Sequence, residues 1–325
     1  MPVTDAQLVL RIYRLALTAR AVDERLWILG RQGRVNFVLT ARGHEVAQIT
    51  TALTLRPGLD SAWFYYRDLA AALALGVTPY EIFLGALGRA SDPHSGGRQL
   101  TAHFSSPQLG IGSVSSVVAG GVPHAVGAAY AARVLGQDSV AMTYFGDGAA
   151  SSGQTHEAMN FAAVHRLPVV FVCENNGYAL SVPLEQQMAV ASLADRAAAY
   201  GMPGCSVDGT DALAVHGAAC DAVQRARNGG GPTLIEARVP RMLPHSSQDD
   251  DAYRSPEERA AVVAADPLPR LRGVLLDCGA LSSGDADAEF QRIRAEVLAD
   301  EDRAVAEPEP QPGRARRWLY ADQAQ

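Results

Sequence analysis

The sequence predicts an α/β fold: a parallel sheet flanked by helices, with a long N-terminal helix and an irregular C-terminal region. Two apolar runs with the character of buried strands enclose a segment with helical apolar spacing, an alternation typical of parallel sheets with right-handed crossovers. Hairpin turn signals are scarce, which disfavours an all-β fold. With 325 residues, the chain is long enough for one large domain or two small ones.

A long amphipathic helix is predicted over the first thirty residues, because apolar side chains recur there at steps of three and four. Thr4 or Asp5 is expected to cap its start, and Gly30 and Gly33 to end it. The apolar face comprises Leu8, Ile12, Leu15, Ala19, Val22, Leu26 and Leu29.

The clearest βαβ unit begins with a strand at 140–145 and continues through a glycine turn at 146–148, a helix at 151–166 and a second strand at 169–173. The pattern then repeats. Asp211 can cap a helix to about Arg227, glycines at 229–231 break it, and 233–239 has the character of another strand.

Residues 119–136 are rich in Gly and Ala at helical spacing, which permits close packing of another backbone. This segment is interpreted either as a buried helix of one domain or as part of a subunit interface. Residues 240–256 are too polar and irregular for a core and are predicted to form a mobile loop. We expect a single domain over 1–300 and a tail over 301–325, where Trp318, Leu319 and Tyr320 could dock.

Composition excludes several classes of protein. A net charge of −7 and a pI near 5.6 argue against nucleic-acid binding. The four scattered cysteines form no CxxC pair, so reduced thiols are favoured over a disulfide framework. Neither a signal peptide nor a membrane-spanning segment is recognisable, and a cytoplasmic location is expected.

The chemical signal lies between Gly146-Asp147-Gly148 and Asn175-Asn176, which are separated by 26 residues, 149 to 174. In a parallel sheet both ends of this βαβ unit reach the same carboxyl edge, where ligands bind. A carboxylate, an amide oxygen and a backbone carbonyl are hard donors suited to Mg²⁺ shared with substrate phosphates. The flanking glycines and the following helix N-terminus favour a diphosphate.

A GDG sequence followed at this spacing by NN is the known signature of thiamine-diphosphate enzymes. The chain resembles the α subunits of branched-chain 2-oxo acid and pyruvate dehydrogenases over roughly 5–271. The matching segments are GRQGRVNF (30–37), FYYRD (64–68), GGRQLTAHF (96–104), SVSSVVAGGVPHAVGAAYAA (113–132), YFGDGAASSG (144–153), NNGYALS (175–181), VDGTD (207–211) and RMLPHSSQDDDAYRS (241–255).

The resemblance implies a thiamine-diphosphate-binding fold and a set of site residues. Asp147, Asn176 and the carbonyl of Tyr178 would ligate Mg²⁺. Tyr66 and Arg67 would hold the diphosphate, and a planar guanidinium suits phosphate oxygens.

The remaining roles implied by the resemblance surround the cofactor. Gly148 and Ala149 would lie beside it. Ser116 and Val118 would lie along it, with the Val118 backbone addressing the aminopyrimidine. His245 and His103 would be catalytic, and His245 would also contact the diphosphate.

Two departures from the family pattern concern ions. Some relatives bind K⁺ through Thr and Gln side chains where this chain has Gly120 and Gly121, so that site is not expected here. Some relatives also place an arginine before the Asn pair, where this chain has Glu174. A carboxylate cannot attract phosphate, so other groups must hold the diphosphate.

The resemblance implies oxidative decarboxylation of branched-chain 2-oxo acids such as 3-methyl-2-oxobutanoate, with acyl transfer to a lipoyl group. Expected partners are a β subunit in an α₂β₂ heterotetramer, which supplies the glutamate that activates the cofactor, and a lipoyl-bearing transacylase core. A pyruvate or acetoin dehydrogenase α subunit remains an alternative, as does a non-catalytic scaffold of the same fold. A Rossmann dehydrogenase is disfavoured because no GxGxxG motif joins a strand to a helix.

Overall fold

The computed structural model describes residues 3–316, which form an α/β fold around a five-stranded parallel sheet. The strands of this sheet are β1 (Ser61–Trp63), β2 (Ala141–Gly146), β3 (Val169–Asn175), β6 (Gly204–Asp208) and β7 (Thr233–Arg238), and a short antiparallel pair consists of β4 (Tyr178–Ala179) and β5 (Val182–Pro183). The strand order is β1-β2-β3-β7-β6. The predicted fold class is confirmed.

Helices cover both faces of the sheet. They are α1 (Val3–Arg31), α2 (Glu45–Ala52), α3 (Leu69–Leu75), α4 (Pro79–Ala86), α5 (Gly121–Val134), α6 (Gly153–Val164), α7 (Ala212–Arg227), α8 (Pro256–Ala264), α9 (Pro267–Asp277) and α10 (Ser283–Ala306). Tyr144 and Val172 face a core built with α1, α2 and α7, whereas Phe145 and Phe171 face a second core built with α5 and α6. This double burial explains why the strands are almost continuously apolar.

The long N-terminal helix is observed as α1, and its apolar stripe lies in the first core. Ile12, Val22 and Leu26 are fully buried, whereas Leu8 and Leu15 are only partly covered. No helix within the described residues combines the length and apolarity needed to cross a membrane.

The βαβ unit is observed at nearly the predicted bounds. Strand β3 runs two residues beyond its predicted end, because Glu174 pairs with Gly146 in β2 and Asn175 pairs with Arg238 in β7. Asp211 caps α7 by accepting hydrogen bonds from the next backbone N–H groups. Strands β1 and β6 were not predicted, since β1 has only three residues and β6 is partly exposed.

Helix α5, the small-residue segment, has one buried and one exposed face. Val122 and Ala125 are buried against the second core, whereas Tyr130 and Val134 are 44% and 67% exposed. Both interpretations of this segment therefore remain compatible with its packing.

Two details differ from the sequence-based expectations. Residues 301–306, predicted to begin a tail, form the end of α10, and Glu301 is buried against Arg25 with a hydrogen bond of 2.9 Å. Trp318, Leu319 and Tyr320 lie outside the described residues. The loop at 240–256 was judged too polar for a core, yet it buries Arg241, Ser246, Asp251 and Arg254.

We predict that Gly43→Ala destabilises the fold far more than Gly33→Ala. Both glycines have positive φ, +93° and +72°, where a side chain costs about 1–2 kcal/mol. A Cβ at Gly43 would also lie 1.8 Å from the carbonyl oxygen of Pro240, while Gly33 has open space, so a further ~1–3 kcal/mol is expected. Urea unfolding measures both losses, and equal losses would contradict the assigned clash.

Candidate active site at the carboxyl edge of the sheet

A cavity of about 330 Å³ opens where β2 and β3 end. Gly120 and Gly121 also line it and offer no side-chain oxygen. The predicted site residues in its lining are Tyr66, Arg67, Val118, Asp147, Gly148, Ala149, Asn176, Tyr178 and His245. Parallel pairing of Gly146 with Glu174 accounts for this convergence, because both strands deliver their next residues to the same edge.

Asp147 carries the feature that best fits a cation. Its side chain is 2% exposed, and Oδ1 has no hydrogen-bond partner among the described residues, whereas Oδ2 accepts a bond of 3.1 Å from Gln187. Burial raises the pKa of Asp147, and contacts with Gln187 and the backbone of Asn176 oppose that rise. A buried carboxylate oxygen that accepts no hydrogen bond costs folding free energy unless a cation binds to it.

The amides that follow β3 are held by specific contacts. Asn175 donates to Glu236 at 2.7 Å and accepts from the Gly177 N–H, which folds the chain back after the strand. Asn176 accepts from the Tyr178 N–H at 3.2 Å. The Tyr178 hydroxyl donates to Glu258, at the start of α8, at 2.8 Å.

Within residues 3–316, no group of three His, Cys, Asp or Glu side chains has the arrangement of a metal site. A hard cation shared with phosphates can be held by one carboxylate, an amide oxygen and a carbonyl, with the phosphates supplying further oxygens. Asp147, Asn176 and the Tyr178 carbonyl are such a donor set, so the residues present fit Mg²⁺.

Gly148 is required by close packing and not by backbone conformation. A Cβ built there would lie 2.6 Å from the Cβ of Ala179, whereas one at Gly146 would meet nothing within 4 Å. The turn around Asp147 is therefore packed tightly against the segment after Asn176 on one side and open on the other. This packing fixes the separation of the two predicted metal ligands.

Arg67 supplies a buried positive charge beside the cavity. Its guanidinium is 2% exposed, donates to the Thr40 carbonyl at 2.7 Å and lies 5.6 Å from the centre of the Tyr66 ring. No carboxylate of the described residues lies within salt-bridge distance of it, although the charge of the buried Glu174 acts on it. A buried cation that is not directly paired favours binding of an anion.

His245 is an uncharged imidazole at neutral pH. Burial, followed by the charges of Arg67 and Arg241, lowers its pKa to about 4. Arg67 Nη2 lies 3.5 Å from Nδ1, and because a guanidinium only donates, the ring proton belongs on Nε2. The ring also stands edge-on to Tyr66, with centroids 5.9 Å apart.

The loop carrying His245 is fixed by a chain of hydrogen bonds. Arg241 donates to the Tyr253 hydroxyl at 2.6 Å, and that hydroxyl donates to Asp249 Oδ2 at 2.7 Å. The same oxygen accepts the backbone N–H of His245 at 2.7 Å. Arg254 adds bonds to the Arg241 and Leu243 carbonyls. This network explains why polar residues of the loop are buried.

His103 and Ser116 lie together but outside the lining of the cavity. His103 Nδ1 donates to the Thr101 carbonyl at 3.0 Å, which leaves Nε2 to accept a bond of 2.6 Å from the Ser116 hydroxyl. Val117, next to Ser116, does line the cavity. The structure therefore places this pair at the edge of the site, with Ser116 as the donor.

A buried polar cluster beneath the cavity was missed by sequence reasoning. Glu174 accepts hydrogen bonds from His44 at 2.6 Å, from Gln48 at 3.0 Å and from Tyr65 at 2.9 Å. Burial alone would raise the pKa of Glu174, but its hydrogen bonds, first of all the one with His44, lower it below its ordinary value. Burial and the charge of Glu174 raise the pKa of Asp68 well above its ordinary value. Glu174 thus faces this cluster and not the diphosphate position.

Comparison with known proteins identifies the family of this chain. The family model described as "Dehydrogenase E1 component" matches residues 13–313. The chain is 43% identical over 311 residues to the 2-oxoisovalerate dehydrogenase subunit alpha of Bacillus subtilis, covering 95% of this chain and 94% of that protein.

Two other relatives are similar over most of the chain. The 3-methyl-2-oxobutanoate dehydrogenase subunit alpha of Mycobacterium tuberculosis is 40% identical, covering 89% of this chain and 74% of that protein. The pyruvate dehydrogenase E1 component subunit alpha of Staphylococcus aureus is 37% identical, covering 91% and 77%. The resemblance indicated by the motifs is confirmed, and the chain belongs to the dehydrogenase E1 component family.

Proposed function

We propose that this chain is the α subunit of a branched-chain 2-oxo acid dehydrogenase and holds the diphosphate end of thiamine diphosphate through Mg²⁺. One observation carries the proposal: a single cavity contains a buried guanidinium, that of Arg67, which no carboxylate of the described residues pairs directly, and a buried oxygen of Asp147 that accepts no hydrogen bond from those residues. A diphosphate together with a divalent cation satisfies both groups.

Each residue at the cavity has a definite task in this proposal. Asp147, Asn176 and the Tyr178 carbonyl hold the metal, while Arg67 balances the charge of the diphosphate. When bound, thiamine diphosphate supplies the carbon nucleophile and electron sink that decarboxylation of a 2-oxo acid requires. His245 presents an Nε2–H donor at the edge of the cavity, and its loop keeps that donor in place.

The surface around the cavity supports a β subunit as partner. Val117, Val118 and Leu180 line the cavity, yet they are 66%, 61% and 59% exposed. Tyr130 and Phe161, on α5 and α6, form a second exposed apolar patch, with ring centroids 5.8 Å apart. Two such patches on one chain favour burial against other subunits, in keeping with an α₂β₂ heterotetramer.

The activity proposed for the assembled enzyme is decarboxylation of 3-methyl-2-oxobutanoate and transfer of the acyl group to a lipoyl group on a transacylase core. The relatives from Bacillus and Mycobacterium are named for branched-chain substrates. The Staphylococcus relative is named for pyruvate, which keeps pyruvate as the second candidate. Four unpaired cysteines suit a reducing compartment such as the cytoplasm.

Asp147→Asn should abolish the Mg²⁺-dependent binding of thiamine diphosphate to the αβ complex, because an amide cannot supply the negative charge at that position. Calorimetry with and without Mg²⁺ measures the effect. Asp138→Asn is the control: it removes an exposed carboxylate next to the opposite end of β2 and should leave binding unchanged. Tight metal-dependent binding by Asp147→Asn would remove Asp147 from the metal site.

The αβ complex loaded with thiamine diphosphate and Mg²⁺ should decarboxylate 3-methyl-2-oxobutanoate with a higher kcat/KM than pyruvate, and the isolated chain should be inactive. Steady-state assays with an artificial electron acceptor compare the two substrates without the transacylase. A clear preference for pyruvate would replace the branched-chain assignment with the pyruvate alternative.

His245 should remain neutral far below the usual range of histidine in the cofactor-free chain, since its pKa is lowered to about 4. NMR titration, with His245→Asn to assign the resonance, should show a midpoint near that value. The diphosphate should raise the midpoint because it offsets the charge of Arg67. Stability should decline as pH falls from about 6.5 toward 4, because only the unfolded state takes up this proton there. A midpoint near 6.5 without cofactor would refute the burial argument.

A further inference from the structure

The buried pair His44–Glu174 lies directly behind Asn176. Both side chains are fully buried, and His44 Nδ1 lies 2.6 Å from Glu174 Oε2. The other ring nitrogen, Nε2, lies 3.5 Å from Nδ2 of Asn176. The imidazole therefore connects a carboxylate inside the protein with an amide that lines the cavity.

The chemistry of the three groups determines which atom donates. An ionised carboxylate only accepts hydrogen bonds, so His44 Nδ1, which faces Glu174, carries a proton. The Asn176 NH₂ group only donates, so Nε2, which faces it, is the lone-pair nitrogen of a neutral ring. That lone pair attracts the Asn176 NH₂ group and repels its oxygen. Because the two ends of an amide have nearly the same size, its partners decide which end faces which way.

Because the Nδ2 end of the Asn176 amide faces His44, its Oδ1 end remains available to a ligand in the cavity. This oxygen accepts one hydrogen bond, from the Tyr178 N–H at 3.2 Å. An amide oxygen has two lone pairs, so one remains for a cation. The reverse orientation would place NH₂ where a cation needs an oxygen.

Glu174 is itself held by several donors, which makes it a rigid support. Gln48 Nε2 donates to Glu174 Oε2 and also to the Arg67 carbonyl, at 3.1 Å. Tyr65 donates to the same carboxylate oxygen at 2.9 Å. The pair is thus tied both to α2 and to the segment that carries Arg67.

We propose that His44 and Glu174 act as a positioning pair that sets the orientation of the Asn176 amide, so that its oxygen serves as a ligand of Mg²⁺. This rests on the proposed function, which places Mg²⁺ at Asp147 and Asn176. The pair touches neither substrate nor cofactor and acts only through Asn176. Partners behind the ligands of other metal sites change metal affinity by about 10–100-fold when they are removed.

Two substitutions of His44 separate positioning from packing. In His44→Asn, an amide near the Nδ1 position can still donate to Glu174, but nothing replaces Nε2. In His44→Gln, the longer side chain carries an acceptor oxygen to the Nε2 position. Glu174→Gln is a third variant, because an amide can donate to Nδ1 and so allows the ring proton to move to Nε2.

The matched control is Thr51→Val. Thr51 lies on α2, is fully buried and hydrogen-bonds to the Tyr144 hydroxyl at 3.1 Å, but it does not touch the Asn176 amide. It should lower the melting temperature of the chain through loss of a buried hydrogen bond. It should not alter metal affinity.

The measurement is binding of Mn²⁺, in place of Mg²⁺, by electron paramagnetic resonance, on the full chain in complex with its β subunit at saturating thiamine diphosphate. We expect His44→Asn and Glu174→Gln to weaken Mn²⁺ binding by about 10–100-fold and His44→Gln to restore it to within about threefold of wild type. Melting temperatures of all variants are recorded alongside.

Three outcomes would overturn the inference: unchanged Mn²⁺ affinity in His44→Asn, equal weakening in His44→Gln, or equal weakening in Thr51→Val. In each case the wild-type complex would still bind Mn²⁺, so the proposed function would survive. Failure of the wild-type complex to bind Mn²⁺ and thiamine diphosphate would instead contradict the proposed function, and the inference with it.

Discussion

The parallel pairing of β2 with β3 is the constraint on which the site depends. Gly146 pairs with Glu174, so the chain leaves both strands at one edge and places Asp147 beside the amides that follow. Both strands are buried by helices on the two faces of the sheet, and a one-residue slip would exchange their core faces. The separation of the predicted metal ligands is therefore set by the hydrophobic core, and the packing of Gly148 on Ala179 reinforces it.

The polar layer beneath the cavity has a different energetic character. Buried charges are costly unless they are well paired, and here the carboxyl groups of Glu174 and Asp68 are buried beside the ring of His44. Asp68 Oδ1 and Glu174 Oε1 accept no hydrogen bond from the described residues. Burial and the charge of Glu174 raise the pKa of Asp68, so Asp68 retains a proton that the two carboxyl groups can share. Such a cluster adds little to stability. Its value lies in rigidity, because it holds Arg67 and Asn176 from behind without occupying the cavity.

Much of the fold and part of the site were predictable from sequence, for identifiable reasons. The βαβ unit was recognisable because its strands are buried on both faces, and Asp147 and Asn176 because they end those strands. His44 could not be found this way, since it is an isolated histidine before a short helix and meets Glu174 only through tertiary packing. Strand β1 has three residues, too few for a periodicity. The loop at 240–256 was misjudged because Arg241 and Arg254 are buried through hydrogen bonds to carbonyls and hydroxyls, which composition does not reveal.

The charges at the cavity imply that metal and diphosphate bind as a unit. A divalent cation alone would satisfy Asp147 but would add positive charge near Arg67, which no carboxylate of the described residues pairs directly. A diphosphate alone would satisfy Arg67 but would meet the carboxylate of Asp147. Each ligand removes the repulsion that opposes the other, so their binding is positively coupled. The lowered pKa of His245 fits the same balance, because a third positive charge beside Arg67 and Arg241 would be repelled by both.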